Sequence, residues 1–200
     1  MKNHLIKIIY LALSGAMAPT TACATSYIST LTNPWSAGYA VGGTHTTLAQ
    51  QFTTGVESLP IGSVTFFGTL PDPLQIAFYS DAAGMPDSLL SNGMLEWTST
   101  VDLTNIYSAT NLTLAANTTY WLEFINSGPQ YDNIQDSYSF SSTGSSGWTL
   151  GVAAYNAGSG LQAGFPMAPL FAINSPVPEA STVALSAMGG MALLRLRRRR

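Results

Sequence analysis

From Thr25 to Pro176 the chain contains neither lysine nor arginine. All seven of those residues sit at its two ends, as Lys2, Lys7, Arg195, Arg197, Arg198, Arg199 and Arg200. The stretch between holds nine acids: Glu57, Asp72, Asp81, Asp87, Glu96, Asp102, Glu123, Asp132 and Asp136. A chain of formal net charge −3 thus encloses a body near −9. The body also lacks cysteine, because Cys23 precedes it. Such a fold can use neither Lys or Arg ion pairs nor disulfides. It must rely on its core, and its acids must be solvated, act as caps or hold a cation. About 150 residues are enough for one such core. With no basic side chains to meet phosphates, nucleic acid is not an expected partner.

The period of the body is two. Leu74, Ile76 and Phe78 alternate with Gln75, Ala77 and Tyr79. Tyr120, Leu122 and Phe124 alternate with Trp121 and Glu123, and Ser63 to Thr69 is a β-branched and aromatic run. These segments predict strands that are at least half-buried, with Thr46 to Phe52 a weaker one. Pro71-Asp72-Pro73, Asp81-Ala82-Ala83-Gly84, Ser91-Asn92-Gly93 and Asn126-Ser127-Gly128 punctuate them as turns. Ser141 to Gly147 reads as a flexible loop, and Leu170 to Ile173 as the last strand. The expected fold is all-β: an antiparallel β-sandwich, jelly-roll or immunoglobulin-like, over residues 25–176.

The ends read as addresses. Residues 1–24 form a secretory signal peptide, with a basic start, an apolar run from Ile8 to Met17, and Ala22 and Ala24 at the positions a signal peptidase reads. Cleavage is expected after Ala24; Cys23 as a lipid acceptor is the disfavoured alternative, since Thr20-Thr21-Ala22 lacks the usual leucine. Residues 177–200 open on Val177-Pro178-Glu179, continue as an uncharged segment from Thr182 to Leu194, and end on Arg195, Arg197, Arg198, Arg199 and Arg200. Thirteen helical residues span about 20 Å, short of a hydrocarbon core of about 30 Å. Residues from Ala180 and snorkelling arginines extend the reach of this transmembrane helix. The arginines would stay cytoplasmic and hold the chain in the membrane.

Val177-Pro178-Glu179-Ala180-Ser181, the apolar stretch and the terminal Arg cluster together resemble the PEP-CTERM sorting signal. The commoner form has proline where Val177 stands. The resemblance implies processing near the Pro-Glu motif by an exosortase, a membrane-embedded cysteine transpeptidase-like enzyme. It implies a Gram-negative, exopolysaccharide-making host, with transient residence in the inner membrane. The segments from Gln75 to Leu90 and from Leu112 to Leu122 are similar to the choice-of-anchor β-sandwich domains found upstream of such tails. That second resemblance covers roughly residues 46–125 and carries no functional residue with it.

Chemistry-bearing residues are sparse. A nucleophilic triad needs a base, and His45 is the one histidine of the body. A glycosidase needs two facing carboxylates, for which Glu96 and Glu123 both lie on expected strands. Asp132, Asn133 and Asp136 offer the hard oxygens calcium uses, and Asp81 and Asp87 flank another turn; solvated, turn-forming acids are the commoner reading. Trp35, Tyr39, Trp148 and Tyr155 lie in Gly- and Ser-rich stretches where rings could meet sugar, Trp35 and Trp148 foremost, although core packing is the usual fate of such rings. Asn111 and Asn117 head glycosylation sequons and read as turn residues. The expectation is a non-enzymatic protein, exported to the cell surface or extracellular matrix, with signal peptidase and exosortase as partners and no cofactor beyond the calcium candidate. The alternative is a carbohydrate-binding module contacting exopolysaccharide.

Overall fold

Strand β9 (Thr119–Ile125) shows how the alternation is used. Tyr120, Leu122 and Phe124 point into the main core, while Trp121 and Glu123 occupy the opposite face. The computed structural model describes residues 24–177, apart from 43–46, 71–73, 127, 129, 146 and 157. Residues 1–23 and 178–200, hence most of the two targeting ends, lie outside the described residues, as does His45.

In chain order the strands before β9 are β1 (Ser26–Ser29), β2 (Ala37–Val41), β3 (Thr47–Thr53), β4 (Leu59–Thr69), β5 (Gln75–Ala82), β6 (Met85–Met94), β7 (Glu96–Val101) and β8 (Thr104–Leu114). After it come β10 (Asp132–Ser137), β11 (Thr143–Gly144), β12 (Thr149–Asn156), β13 (Leu161–Phe165), β14 (Ala168–Pro169) and β15 (Phe171–Asn174). No helix occurs among the described residues. One sheet runs β11-β1-β15-β4-β10-β14, with β8 on the other edge of β4, β7 beyond it and β2 on β10. The second runs β13-β12-β3-β9-β5-β6. Neighbours in both are antiparallel, so the all-β, sandwich-like class expected from the period of two is what the chain adopts.

The sheets meet through aromatic rings. Phe66 of β4 stands edge-on to Phe124 of β9 at 5.2 Å between centroids. Trp148, just before β12, lies between Tyr27 of β1 at 5.2 Å and Phe52 of β3 at 5.8 Å, stacked on both. Each large apolar side chain fully removed from water contributes about 1.5–3 kcal/mol, and Phe52, Phe66, Phe78, Phe124 and Phe171 are all fully buried.

Uncharged side chains satisfy the buried backbone, as a body without lysine or arginine requires. The Thr30 hydroxyl donates to the Pro169 carbonyl at 2.7 Å and accepts the Phe171 N–H at 2.8 Å. Gln50, fully buried in β3, donates through Nε2 to the Gly151 and Val152 carbonyls at 3.0 and 3.2 Å. Those carbonyls are freed by the register break between Leu150 and Ala153 in β12. Asn105 Nδ2 donates to the Gly68 carbonyl at 2.9 Å. Gly68 itself lies where β10 crosses β4: a Cβ there would sit 2.5 Å from the Asn133 carbonyl oxygen.

Among the described residues the expected turns are kept in part, and Pro71-Asp72-Pro73 lies outside those residues. Ala83 and Gly84 both have positive φ, 53° and 78°, and make the tight β5–β6 hairpin expected from Asp81-Ala82-Ala83-Gly84. Asn117, at φ 48°, turns the chain between β8 and β9 as expected, whereas Asn111, at φ 55°, lies inside β8 at a register break rather than in a turn. Ser91-Asn92-Gly93 differs from expectation: it stays within β6 as an irregularity, with Asn92 at φ 59°. The Ser141–Gly147 loop also departs, because Thr143 and Gly144 pair with Ser29 and Ile28.

Candidate functional site

Asp132, Asn133 and Asp136 lie on a strand rather than in a turn. Along β10, Asp132, Ile134 and Asp136 are buried and face inward, whereas Asn133 is exposed on the opposite face. Opposite them on β2 stand Val41, Tyr39 and Ala37. The Asn133 amide lies over Gly38, where a Cβ would collide with it. Asp132 accepts a hydrogen bond from Asn126 Nδ2 at 2.6 Å, so this carboxylate serves the sandwich interior. Burial, and then the charge of Asp132, raise the Tyr107 hydroxyl above its ordinary range; that hydroxyl donates to the Leu74 carbonyl at 2.7 Å. The three expected ligands therefore do not converge. Among the described residues no group of three or more His, Cys, Asp or Glu is placed to hold a metal ion.

Glu96 and Glu123 are likewise kept apart. Glu96 opens β7 at the edge of one sheet, and Glu123 lies on the outer face of β9 in the other. Fully buried Ala49 and Ala77 flank Glu123 on β3 and β5. Burial there pushes its carboxyl up from 4.5 to about 7. Asp81, on the same face of the sheet, behaves oppositely. Burial is the largest single influence and pushes it up, but three donors together outweigh it: Trp121 Nε1 at 2.7 Å and Gln51 Nε2 at 2.8 Å on one oxygen, and the Gly84 N–H at 3.3 Å on the other. Its carboxyl is held below the ordinary value. Asp87 binds the Ser88 hydroxyl at 2.8 Å. Asp81 and Asp87 thus act as structural acceptors of the sheet face and its hairpin.

The four rings that could meet sugar divide sharply. Trp148 is 7% exposed and belongs to the core, the usual fate of such rings, so as a candidate sugar contact it is withdrawn. Long-range stacking on Tyr27 and Phe52 overrides its Gly- and Ser-rich surroundings. Tyr39 and Tyr155 pack against Phe165 at 4.8 and 5.2 Å. Trp35 alone of the four stays outside, 65% exposed.

Trp35 has company that sequence reasoning missed. Tyr138 is 66% exposed and Phe140 39% exposed, both just after β10. The β1–β2 loop and this segment are tied together. Asn33 Nδ2 donates to the Ser139 and Ser141 carbonyls at 3.0 and 2.8 Å, and the Ser141 hydroxyl returns a bond to Asn33 Oδ1 at 2.8 Å. The Ser36 N–H donates to the Asp136 carbonyl at 3.0 Å, and the Tyr138 N–H to the Ser36 hydroxyl at 3.1 Å. The signal was present as Ser137-Tyr138-Ser139-Phe140-Ser141, rings spaced by serines next to a strand end.

The body's two ends are also adjacent. The Thr25 N–H donates to the Ser175 hydroxyl at 2.9 Å and the Ser175 N–H to the Thr25 carbonyl at 2.8 Å, extending the β1–β15 pairing. Val177 follows, 58% exposed. Pro178, Glu179, the terminal arginines and Ala22 lie outside the described residues. Comparison with protein-family models, curated proteins and solved structures finds no match for this chain.

Proposed function

We propose that this chain is an exported, non-enzymatic β-sandwich protein of the bacterial surface or extracellular matrix. A signal peptide exports it, and its C-terminal segment holds it in the inner membrane until an exosortase acts near Val177-Pro178-Glu179. The observation carrying this reading is the distribution of charge: every lysine and arginine lies in one of the two end segments, behind a Pro-Glu motif and an uncharged stretch at the C-terminus. The adjacency of Thr25 and Ser175 supports it, because both processing junctions then leave the sandwich from one place. Fractionation of cells, with mass spectrometry of the mature C-terminus, tests it. A surface or released form trimmed near Pro178 is the expected result; membrane-retained protein still ending in Arg200 overturns it.

A second reading is favoured by the exposure of Trp35: the body contacts exopolysaccharide as a carbohydrate-binding module. Retention on matrix glycan that depends on Trp35 separates it from a purely structural role.

A further inference from the structure

We infer that the tied loops carrying Trp35, Tyr138 and Phe140 form a stacking site for an uncharged polysaccharide, an inference that rests on the carbohydrate reading and gives it a place and a ligand class. Three exposed rings on two short segments are unusual company for a body whose other large rings mostly pack inside. The segments are short of mobile charged side chains: residues 31–36 and 137–142 read Leu-Thr-Asn-Pro-Trp-Ser and Ser-Tyr-Ser-Phe-Ser-Ser. Asn33, Ser36, Ser139 and Ser141 cross-link them, so much of the ordering cost of a bound state is already met in the fold. A pyranose ring presents C–H groups on its faces and hydroxyls around its edge. The negative face of an aromatic ring attracts those C–H groups, and neutral hydroxyls and amides exchange bonds with the rim. Tyr, Trp, Ser and Asn together supply this combination of rigid contact area and adaptable hydrogen bonding.

Charge selects among polysaccharides. A body near −9 without lysine or arginine offers no fixed Lys or Arg for a uronate or sulfate polymer and repels it at low ionic strength. A neutral glucan or mannan meets no such barrier. A second class of partner, a protein, would use similar rings, but these loops lack the branched aliphatic anchors that fill protein pockets, apart from half-buried Leu31.

The test uses the full chain, purified in a zwitterionic detergent free of sugar, and depleted from solution by cellulose, by insoluble mannan and by polygalacturonate beads. Retention by at least one neutral polymer is expected, insensitive to salt. Trp35→Ala should weaken it at least about tenfold, as removal of a central ring does, and Tyr138→Ala should weaken it several-fold. Trp97→Ala, an exposed tryptophan on β7 away from these loops, should leave it unchanged. Thermal unfolding of each variant confirms that the fold survives. Neutral-polymer binding untouched by Trp35→Ala and Tyr138→Ala overturns the site while the carbohydrate reading stands. Trp35-dependent binding to polygalacturonate alone overturns the ligand class. Matrix retention through these loops that resists glycanases and yields to protease identifies a protein partner and overturns the inference. No retention by any polymer overturns this inference and the carbohydrate reading together, and leaves the sorting reading to the C-terminal mass measurement.

Discussion

Trp148 and Trp35 are alike in sequence and opposite in the fold. Each sits among small polar residues next to a turn, yet one is 7% exposed and the other 65%. Trp148 is drawn inside by partners far away in the chain: Tyr27 on one sheet and Phe52 on the other. Gly147, at φ +85°, lets the preceding loop come down against Gly55, where a Cβ would sit 3.1 Å from the Gly55 Cα. Trp35 follows β1 in a loop tied to the segment after β10 through Asn33 and Ser36, and its ring stays largely exposed there. Local composition is therefore a poor guide to exposure; which sheet positions are brought opposite one another decides it.

The hardest blow to this contrast is Trp148→Ala. Removing a ring stacked on both sheets leaves a cavity between them, and destabilisation of about 3–5 kcal/mol is expected. Urea unfolding measures it through a lower midpoint at unchanged slope. A loss under 1 kcal/mol would mean that Trp148 is an exposed ring after all.

Among carboxyls the same contrast between inside and outside has a sign. The folded pKa of Glu123, about 7, lies above its ordinary 4.5, so the folded state holds that proton more tightly. Its contribution is fully present below pH 4.5 and is lost as pH rises through 7, a change of about 3 kcal/mol. Asp81 runs the other way. Its lowered value stabilises the fold above 3.8 and the benefit disappears as pH falls through the folded value. Melting temperature should fall between pH 4.5 and 7, and Glu123→Gln should flatten that slope and raise stability at pH 8. An unchanged slope in the variant would place Glu123 in water.

Thr30→Val tests whether uncharged side chains carry the interior. The substitution keeps shape and strands the Pro169 carbonyl and the Phe171 N–H, both otherwise paired to the Thr30 hydroxyl. A loss of about 1–3 kcal/mol is expected in denaturant unfolding; a neutral result would show that water replaces the hydroxyl.

Much of the framework was legible because β4, β5 and β9 alternate cleanly, and because Asp81 to Gly84 can hardly do anything but turn. Strand β10 was not legible. Its inward positions are Asp132, Ile134 and Asp136, so the period of two is present but two of its three members are acids. Carboxylates advertise solvent or a cation; only the fold shows Asn126 meeting one of them inside. Strand β12 hid for a different reason: small residues and a register break, stabilised by Gln50 from another strand, remove the large alternating side chains that periodicity needs. Of the candidate site, Trp35 was visible but indistinguishable from Trp148. Tyr138 and Phe140 were concealed by the serines around them, and Asn33, which ties the loops, reads as an ordinary turn residue until Ser139 and Ser141 are placed beside it.

The smallest effect is the sharpest test of the comparison. Trp35→Ala removes as large a side chain as Trp148→Ala, yet stability should change by no more than about 0.5 kcal/mol, as for surface positions generally. The reason is that its ring is 65% exposed and that Asn33, Ser36, Ser139 and Ser141 cross-link the two segments. Asn33→Ala should do the reverse. It cuts three bonds between the segments and should cost about 1 kcal/mol, while leaving all three rings in the chain. Side-by-side urea curves of the two variants measure the difference. If Trp35→Ala proves the more destabilising, the indole is a brace of the loop pair, and its exposure is incidental to packing rather than available for recognition.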